Sequence, residues 1–352
     1  MILTTLFKNL FKKRSVRSRR SKEHQHQQSI TSSAQHQQQQ QQTSTSYTAT
    51  TKSGSFVTTP TSSTSNGQKK IIDGRVYHDR EGISYIMPED DEDKDRLHQQ
   101  HWMIKLAFGG NFSSPVEEQL QKGITVLDSA CGPATWTLEM AHTYPQSTFH
   151  GIDIAPQFPG VIKPSNCHFQ VADITERLPF PDSYFDYIHQ RLLVVALTKD
   201  GWNNCLAELK RVLKPGGWVE FNEVDIDNAA KIGGPAMNRL WVIFAKFIRD
   251  RGMVPEIGVE LPGLLKNLGF EDVRSRAVGI AALDGTKVGE LVWDDFVSIF
   301  DAIRPLLQKM YPDEFGTPEQ FAKYIEDVRQ ETLSKIDPRP GLWYAVCARK
   351  PL

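Results

Sequence analysis

Residues 126–141, VLDSACGPATWTLEMA, join an apolar run to a helical pattern through a short turn of small residues. Such a strand–turn–helix connection brings a ligand close to the backbone and to the positive N-terminus of the helix. The turn contains Ala130, Gly132 and Ala134, whereas a dinucleotide fingerprint needs three glycines at a different spacing. Asp128 lies just before the turn, and a carboxylate there would repel a pyrophosphate. These residues therefore favour a ligand that carries a positive charge and no phosphate.

Two more acids follow the next two predicted strands. Asp153 can accept hydrogen bonds from both hydroxyls of a ribose, and Asp173 is placed to accept one from an adenine amino group. Ile154 and Ile174, the residues after these acids, would pack on the adenine ring. S-adenosylmethionine carries all of these groups, together with an ammonium that suits Asp128. We therefore predict S-adenosylmethionine as the cofactor.

These residues need a sheet that brings the ends of several strands together. The segments ITVLDSA, TFHGIDI, CHFQVADI, FDYIHQ and WVEFNEVD predict strands, and helical patterns such as TWTLEMAHTY and NNCLAELKRVL separate several of them. Strands that alternate with helices indicate an α/β fold with a doubly wound parallel sheet, whose ligands bind at the carboxyl ends of the strands. Residues 87–110 predict a preceding helix, and about residues 280–340 predict a helical, lid-like insertion before a last strand.

The motifs LDSACGPA, GIDIAP, VADI, FPDSYFDYIH and ELKRVLKPGGWVEFNEVD resemble those of class I S-adenosylmethionine-dependent methyltransferases. The earlier segment DREGISYIMPEDDEDKDRLHQQHWMIKLAFGG resembles the fungal LaeA-like methyltransferase-domain family. The resemblance implies a Rossmann-like, mostly parallel seven-stranded sheet with an antiparallel C-terminal strand. Together with the acids and isoleucines at the strand ends, the resemblance implies that eight residues bind the cofactor: Asp128, Ala130, Cys131, Gly132, Asp153, Ile154, Asp173 and Ile174.

The resemblance also exposes departures within the turn. Class I enzymes commonly have glycine where this chain has Ala130 and Ala134, and alanine is expected to keep ordinary backbone angles. We therefore expect retained but weaker cofactor binding. Cys131 is either a thiol activated at a helix N-terminus or a small residue whose backbone faces the cofactor.

Methyl transfer from a sulfonium requires an acceptor held in line with the methyl group, and strictly requires no catalytic residue. The candidate base is His189, at the end of the fourth predicted strand, which could instead orient the cofactor or bind a backbone group. Tyr85 and Arg96 could close over the methionine end of the cofactor. The four cysteines form no CxxC pair, so we expect reduced thiols and no metal site.

The acceptor is predicted only as a class. The function is either methyl transfer to a small-molecule or protein acceptor, or a regulatory role in which a methyltransferase-like subunit acts through partner proteins. A nucleic-acid acceptor is disfavoured because residues 71–352 carry a net charge of −11 and lack a PPY-like signature. Four aromatic residues of the insertion either contact an apolar acceptor or pack the insertion's own core: Trp293, Phe296, Phe300 and Tyr311.

Residues 1–70 differ from the rest of the chain. They contain eleven Lys or Arg residues and one acid, and they are rich in Gln, Ser and Thr, so we predict a disordered tail preceding a methyltransferase domain at 71–352. Residues 1–22 fit a membrane-surface helix, a targeting segment, a nuclear import signal or a solvated tail. No apolar run is long enough to span a membrane, and we expect an intracellular protein of the cytoplasm or nucleus.

Overall fold

A central sheet of seven strands organises the computed structural model, which describes residues 69–78, 86–334 and 340–352. Tyr85 and nearly all of the predicted tail lie outside these described residues. The strands of the sheet are β3 (Thr125–Ser129), β4 (Thr148–Asp153), β5 (Cys167–Val171), β6 (Phe185–Arg191), β7 (Leu213–Val224), β8 (Glu271–Ile280) and β9 (Gly341–Arg349). Their order is β5–β4–β3–β6–β7–β9–β8. Only β9 runs antiparallel to the other strands of this sheet, so the predicted topology is confirmed.

A two-stranded hairpin precedes the sheet and was not predicted. Its strands are β1 (Lys69–Ile72) and β2 (Arg75–His78), and they are joined by Asp73 and Gly74, which have φ of 49° and 82°. Lys69 and Lys70, the last two residues of the predicted tail, therefore belong to β1. The Tyr77 hydroxyl donates a hydrogen bond of 2.6 Å to the carbonyl of Ala302, which ties the hairpin to the insertion.

The predicted helix of residues 87–110 is α1 (Asp91–Phe108). The carboxylate of Asp90 accepts from the backbone N–H of Asp93, three acids occupy the first turn, and Gly109 ends the helix with φ of 74°. These are the caps and charges that favour a helix at both ends. The helices that follow, up to β8, are α2 (Glu117–Lys122), α3 (Thr135–Thr143), α4 (Lys199–Val212), α5 (Ile226–Ile232), α6 (Pro235–Arg249) and α7 (Ile257–Asn267).

The described part of the insertion between β8 and β9 contains four helices: α8 (Lys287–Ala302), α9 (Arg304–Met310), α10 (Pro312–Phe315) and α11 (Pro318–Leu333). The ring of Trp241, on α6, lies 5.6 Å from that of Phe296 and 5.2 Å from that of Phe300. The insertion is therefore packed on the body of the domain through aromatic side chains. Among the described helices, none is long and apolar enough to cross a membrane.

Candidate active site

The turn between β3 and α3 follows a left-handed path. Ala130, Gly132 and Ala134 have φ of 55°, 53° and 64°. The expectation that both alanines keep ordinary backbone angles was wrong, and each left-handed alanine costs about 1–2 kcal/mol. The backbone N–H of Cys131 donates to the carbonyl of Ile152 over 2.8 Å and helps to hold this path. The chain thus keeps the shape of a glycine-rich turn without two of its glycines.

Asp153 lies at the last position of β4, beside this turn. Its carboxylate accepts the N–H of Gly132 at 2.8 Å and that of Ala155 at 2.9 Å, and burial raises its pKa to about 6. Asp173 lies two residues after the end of β5, where its carboxylate accepts from the N–H and the hydroxyl of Thr175. Both carboxylates line the same cavity.

Asp128 is buried beneath the turn rather than at the cavity. Its carboxylate accepts from the hydroxyl of Thr137 and lies 3.1 Å from Nδ1 of His189. Seven of the eight predicted cofactor-binding residues line the cavity: Ala130, Cys131, Gly132, Asp153, Ile154, Asp173 and Ile174. Asp128, the eighth, does not line it. The expected contact between Asp128 and an ammonium group is therefore not available in this arrangement.

His189 is also sealed from the large cavity. Its side chain is 1% exposed, and its ring stacks on the indole of Trp136 with centroids 3.9 Å apart and planes 3° from parallel. A general base must reach the proton that it removes. Enclosed by Trp136 and Asp128, His189 does not reach the large cavity in this structure, and its role as a general base stays a prediction.

One cavity of about 540 Å³ connects the turn to the insertion. Its first end, the cofactor end, is formed by the turn and by the residues after β4 and β5. Its second end, the aromatic end, is lined by Trp241, Phe244, Ile280, Val292, Phe296, Ile299 and Trp343. Of the four aromatic residues singled out in the insertion, Phe296 lines the cavity, while Trp293 and Phe300 are buried and Tyr311 lies over the guanidinium of Arg239. Trp293 and Phe300 are thus packed inside the protein, while contact between Phe296 and an apolar acceptor stays a prediction.

The insertion is linked to α1 across the cavity. Asp295 on α8 lies 3.2 Å from the guanidinium of Arg96 and accepts from the side-chain amide of Gln100. Arg96 also pairs with Asp93 at 2.7 Å, and all of these side chains are largely buried. Arg96 therefore lines the cavity and is held by two carboxylates, and its closure over the methionine end of the cofactor stays a prediction.

Cys131 is not an activated thiol. Burial raises its pKa well above the usual range, and the nearby carboxylates of Asp128 and Asp153 add to the effect. The four cysteines are all free and buried. Within the part of the chain that the structure describes, no group of three or more His, Cys, Asp or Glu side chains could hold a metal ion.

Arg191 and the aromatic residues of α6 line the cavity but were not among the predicted site residues. Arg191 is the last residue of β6 and lines the cavity, next to the candidate His189 in the motif YIHQR. Trp241 and Phe244 lie on α6, and a helical pattern in a sequence does not show what the helix faces. A cation at the carboxyl end of a buried strand was the available signal for Arg191.

Comparison with known proteins identifies related sequences. The family model described as "Methyltransferase domain" matches residues 126–217. The chain is 30% identical over 202 residues to N-methyltransferase sirN of Leptosphaeria maculans, covering 56% of this chain and 70% of that protein. It is 27% identical over 259 residues to N-methyltransferase gliN of Aspergillus fumigatus, covering 70% and 90%.

A regulator is also among the relatives. Secondary metabolism regulator laeA of Aspergillus fumisynnematus is 26% identical over 294 residues, covering 79% of this chain and 76% of that protein. Among solved structures, phosphoethanolamine N-methyltransferase 2 of Haemonchus contortus in complex with S-adenosyl-L-methionine is similar with a TM-score of 0.45 and 16% identity. That similarity covers 79% of this chain and 62% of the other.

Proposed function

The chain belongs to the LaeA-like family of S-adenosylmethionine-dependent methyltransferases, and from that premise we propose that it methylates a nitrogen atom of an apolar small molecule. The observation that carries the proposal is the single cavity, which joins an end suited to the cofactor to an aromatic end. Relatives named as N-methyltransferases support nitrogen as the acceptor atom.

The residues at the cofactor end fit S-adenosylmethionine. Asp153 and Asp173 supply carboxylate oxygens for donors such as ribose hydroxyls and an adenine amino group, and Ile154 and Ile174 supply apolar surface for a ring. The turn around Gly132 has no bulky side chain that would block close approach to the backbone. Asp128 is assigned a supporting role beneath the turn, through Thr137 and His189, in place of direct contact.

The cofactor, when bound, supplies a methyl group on a positively charged sulfur. The chain's own contribution is to hold the acceptor in line with that methyl group and to exclude water, which is worth several kcal/mol without an acid or base. A neutral amine carries the lone pair that the reaction needs, so an acceptor that enters the cavity as the free amine requires no base such as His189.

The proposal is tested by transfer of a labelled methyl group. The full chain is incubated with methyl-deuterated S-adenosylmethionine and matched apolar amines, alcohols and thiols, and the labelled atom is identified by mass spectrometry. We expect label on nitrogen alone. Label on oxygen or sulfur, or on added peptides only, would contradict the proposed acceptor.

Two variants connect the acceptor to the aromatic end. Trp241→Leu should raise the KM for the amine about tenfold or more while leaving cofactor binding unchanged, because it removes apolar contact area only at that end. Tyr311→Leu, an aromatic change in the insertion outside the lining, is the matched control and should leave both unchanged. Equal effects of the two variants would argue against this acceptor site.

A regulatory role through partner proteins is the second candidate, and the similarity to laeA over 79% of this chain favours it. The same labelling experiment separates the two roles. A chain that binds S-adenosylmethionine but labels none of the small molecules would favour the regulatory role, with the partner then sought by its own methylation.

A further inference from the structure

Arg191 is a cation in the cavity that has no carboxylate partner among the residues that the structure describes. Its guanidinium donates to Nδ1 of His101 over 3.1 Å, and no carboxylate among the described residues lies within ion-pair distance of it. Burial lowers its pKa. An arginine presents five N–H donors, so a buried guanidinium with one such contact retains donors for an anion.

The donors of Arg191 are oriented by a second layer of side chains. Because Arg191 donates to Nδ1 of His101, the imidazole carries its proton on Nε2, which lies 2.7 Å from a carboxylate oxygen of Glu139. Burial lowers the pKa of His101 to about 4, so the ring is neutral at pH 7. The other oxygen of Glu139 accepts from Lys105, so this carboxylate is already paired with a cation. His101 and Glu139 are therefore positioning residues for Arg191.

The other cation that lines the cavity is already neutralised. Among the lining residues that the structure describes, the cationic side chains are Arg96 and Arg191, and Arg96 is bound by Asp93 and Asp295. Six acids line the same cavity: Glu89, Asp153, Asp173, Asp200, Asp225 and Asp295. A ligand carboxylate placed in this cavity would be repelled nearly everywhere, and the guanidinium of Arg191 is the place where it is attracted.

Arg191 also lies at the cofactor end. Residue 190 pairs with Ser129 in the sheet, so Arg191 lies at the level where the chain leaves β3 for Ala130 and the turn. We infer that Arg191 binds the α-carboxylate of the methionine part of S-adenosylmethionine. The planar guanidinium can hold such a carboxylate through two parallel hydrogen bonds. This inference rests on the proposed function, since it assumes that the cavity binds this cofactor.

The test compares adenosyl ligands that differ in one group. Isothermal titration of the full chain uses S-adenosylmethionine, its decarboxylated analogue, which lacks only the carboxylate, and 5′-methylthioadenosine, which lacks the whole amino-acid part. We expect the wild type to bind S-adenosylmethionine about 10–100-fold more tightly than the decarboxylated analogue. Arg191→Met should remove this preference and leave affinity for 5′-methylthioadenosine unchanged. Arg191→Lys, which keeps the charge and loses the fork, should retain part of the preference.

Arg177→Met, at an exposed arginine outside the cavity, is the matched control and should behave as the wild type. An unchanged preference in Arg191→Met would overturn the inference and point to a carboxylate on the acceptor instead. An equal loss of affinity for all three ligands would also overturn it, because Arg191 would then be only structural. If the wild type bound none of the three ligands, the proposed function itself would fail.

Discussion

Glu223 offers the most direct test of how burial acts in this fold. It lies on β7, is 0% exposed, and one of its carboxylate oxygens accepts the N–H of Leu193 at 2.7 Å. The other oxygen, Oε2, is buried and has no hydrogen-bond partner among the described residues. Burial raises the pKa of Glu223 to about 8, so the folded protein keeps this carboxyl protonated at neutral pH. Glu223→Gln preserves the shape and the acceptor for Leu193 while it removes the titration.

The magnitude follows from the difference between folded and unfolded pKa values. The unfolded chain loses this proton near pH 4.5, whereas the folded chain keeps it until about pH 8. Between these values the folded state binds more protons, so stability falls as the pH rises. At about 1.4 kcal/mol per pH unit, the wild type loses about 3 kcal/mol by pH 7 from this one group, and about 4 kcal/mol by pH 8, where the folded carboxyl is itself half titrated.

Urea unfolding across about pH 4.5 to 8 measures the effect. Glu223→Gln should match the wild type at the acid end, because the protonated acid and the amide place similar groups at the same point. It should become progressively more stable than the wild type towards pH 8. Glu260→Gln, at an exposed glutamate, is the matched control, and its free energy of unfolding should differ from that of the wild type by the same amount at every pH. Parallel curves for the wild type and Glu223→Gln would refute the reasoning.

Three other predictions concern the turn and its surroundings. Ala130→Gly should raise the free energy of unfolding by about 1 kcal/mol, because relief of the left-handed alanine exceeds the entropy that glycine adds to the unfolded chain; a less stable variant in urea would contradict this. Asp153→Asn should weaken binding of S-adenosylhomocysteine about tenfold at pH 8. In titration calorimetry the wild type should lose affinity as the pH falls through about 6, and the variant should not. His189→Ala should lower the free energy of unfolding by about 3 kcal/mol, because it removes a ring stacked on Trp136. Turnover should be retained below the unfolding temperature. A variant of normal stability that has lost turnover would support His189 as the general base.

The alternation of strands and helices and the parallel sheet could be predicted from the sequence pattern, whereas the antiparallel C-terminal strand was predicted from the family resemblance. Short apolar runs buried on both faces alternate with helical patterns, and such a pattern allows few other topologies. The hairpin at residues 69–78 was missed, although Asp73-Gly74 between Ile71-Ile72 and Arg75-Val76 is a turn signal for two strands. Each strand has only four residues and adjoins a polar tail of low complexity, so the apolar pattern is too short to stand out from the tail.

Which strand-end side chains reach the cavity could not be predicted. Asp128 and His189 are partners in register, and both point to the face of the sheet that Trp136 covers. Arg191 lies on the same face two residues later, where the sheet ends, so its longer side chain reaches the cavity. The direction of each side chain depends on how many residues separate it from the end of its strand, and boundaries of that precision are beyond a sequence pattern.

The insertion leaves the sheet at Ile280 and returns at Gly341, and these two residues pair in register between β8 and β9. The chain between them is thus a loop closed at its base, whose length and sequence can change with little cost to the strands that it connects. Across a lineage, such a loop can change by substitution, insertion or exchange, while the turn and the acids at the strand ends are constrained by cofactor binding. Divergence in acceptor choice among relatives should therefore be concentrated between residues 280 and 341, and grafting this loop between homologues is a direct route to altered selectivity.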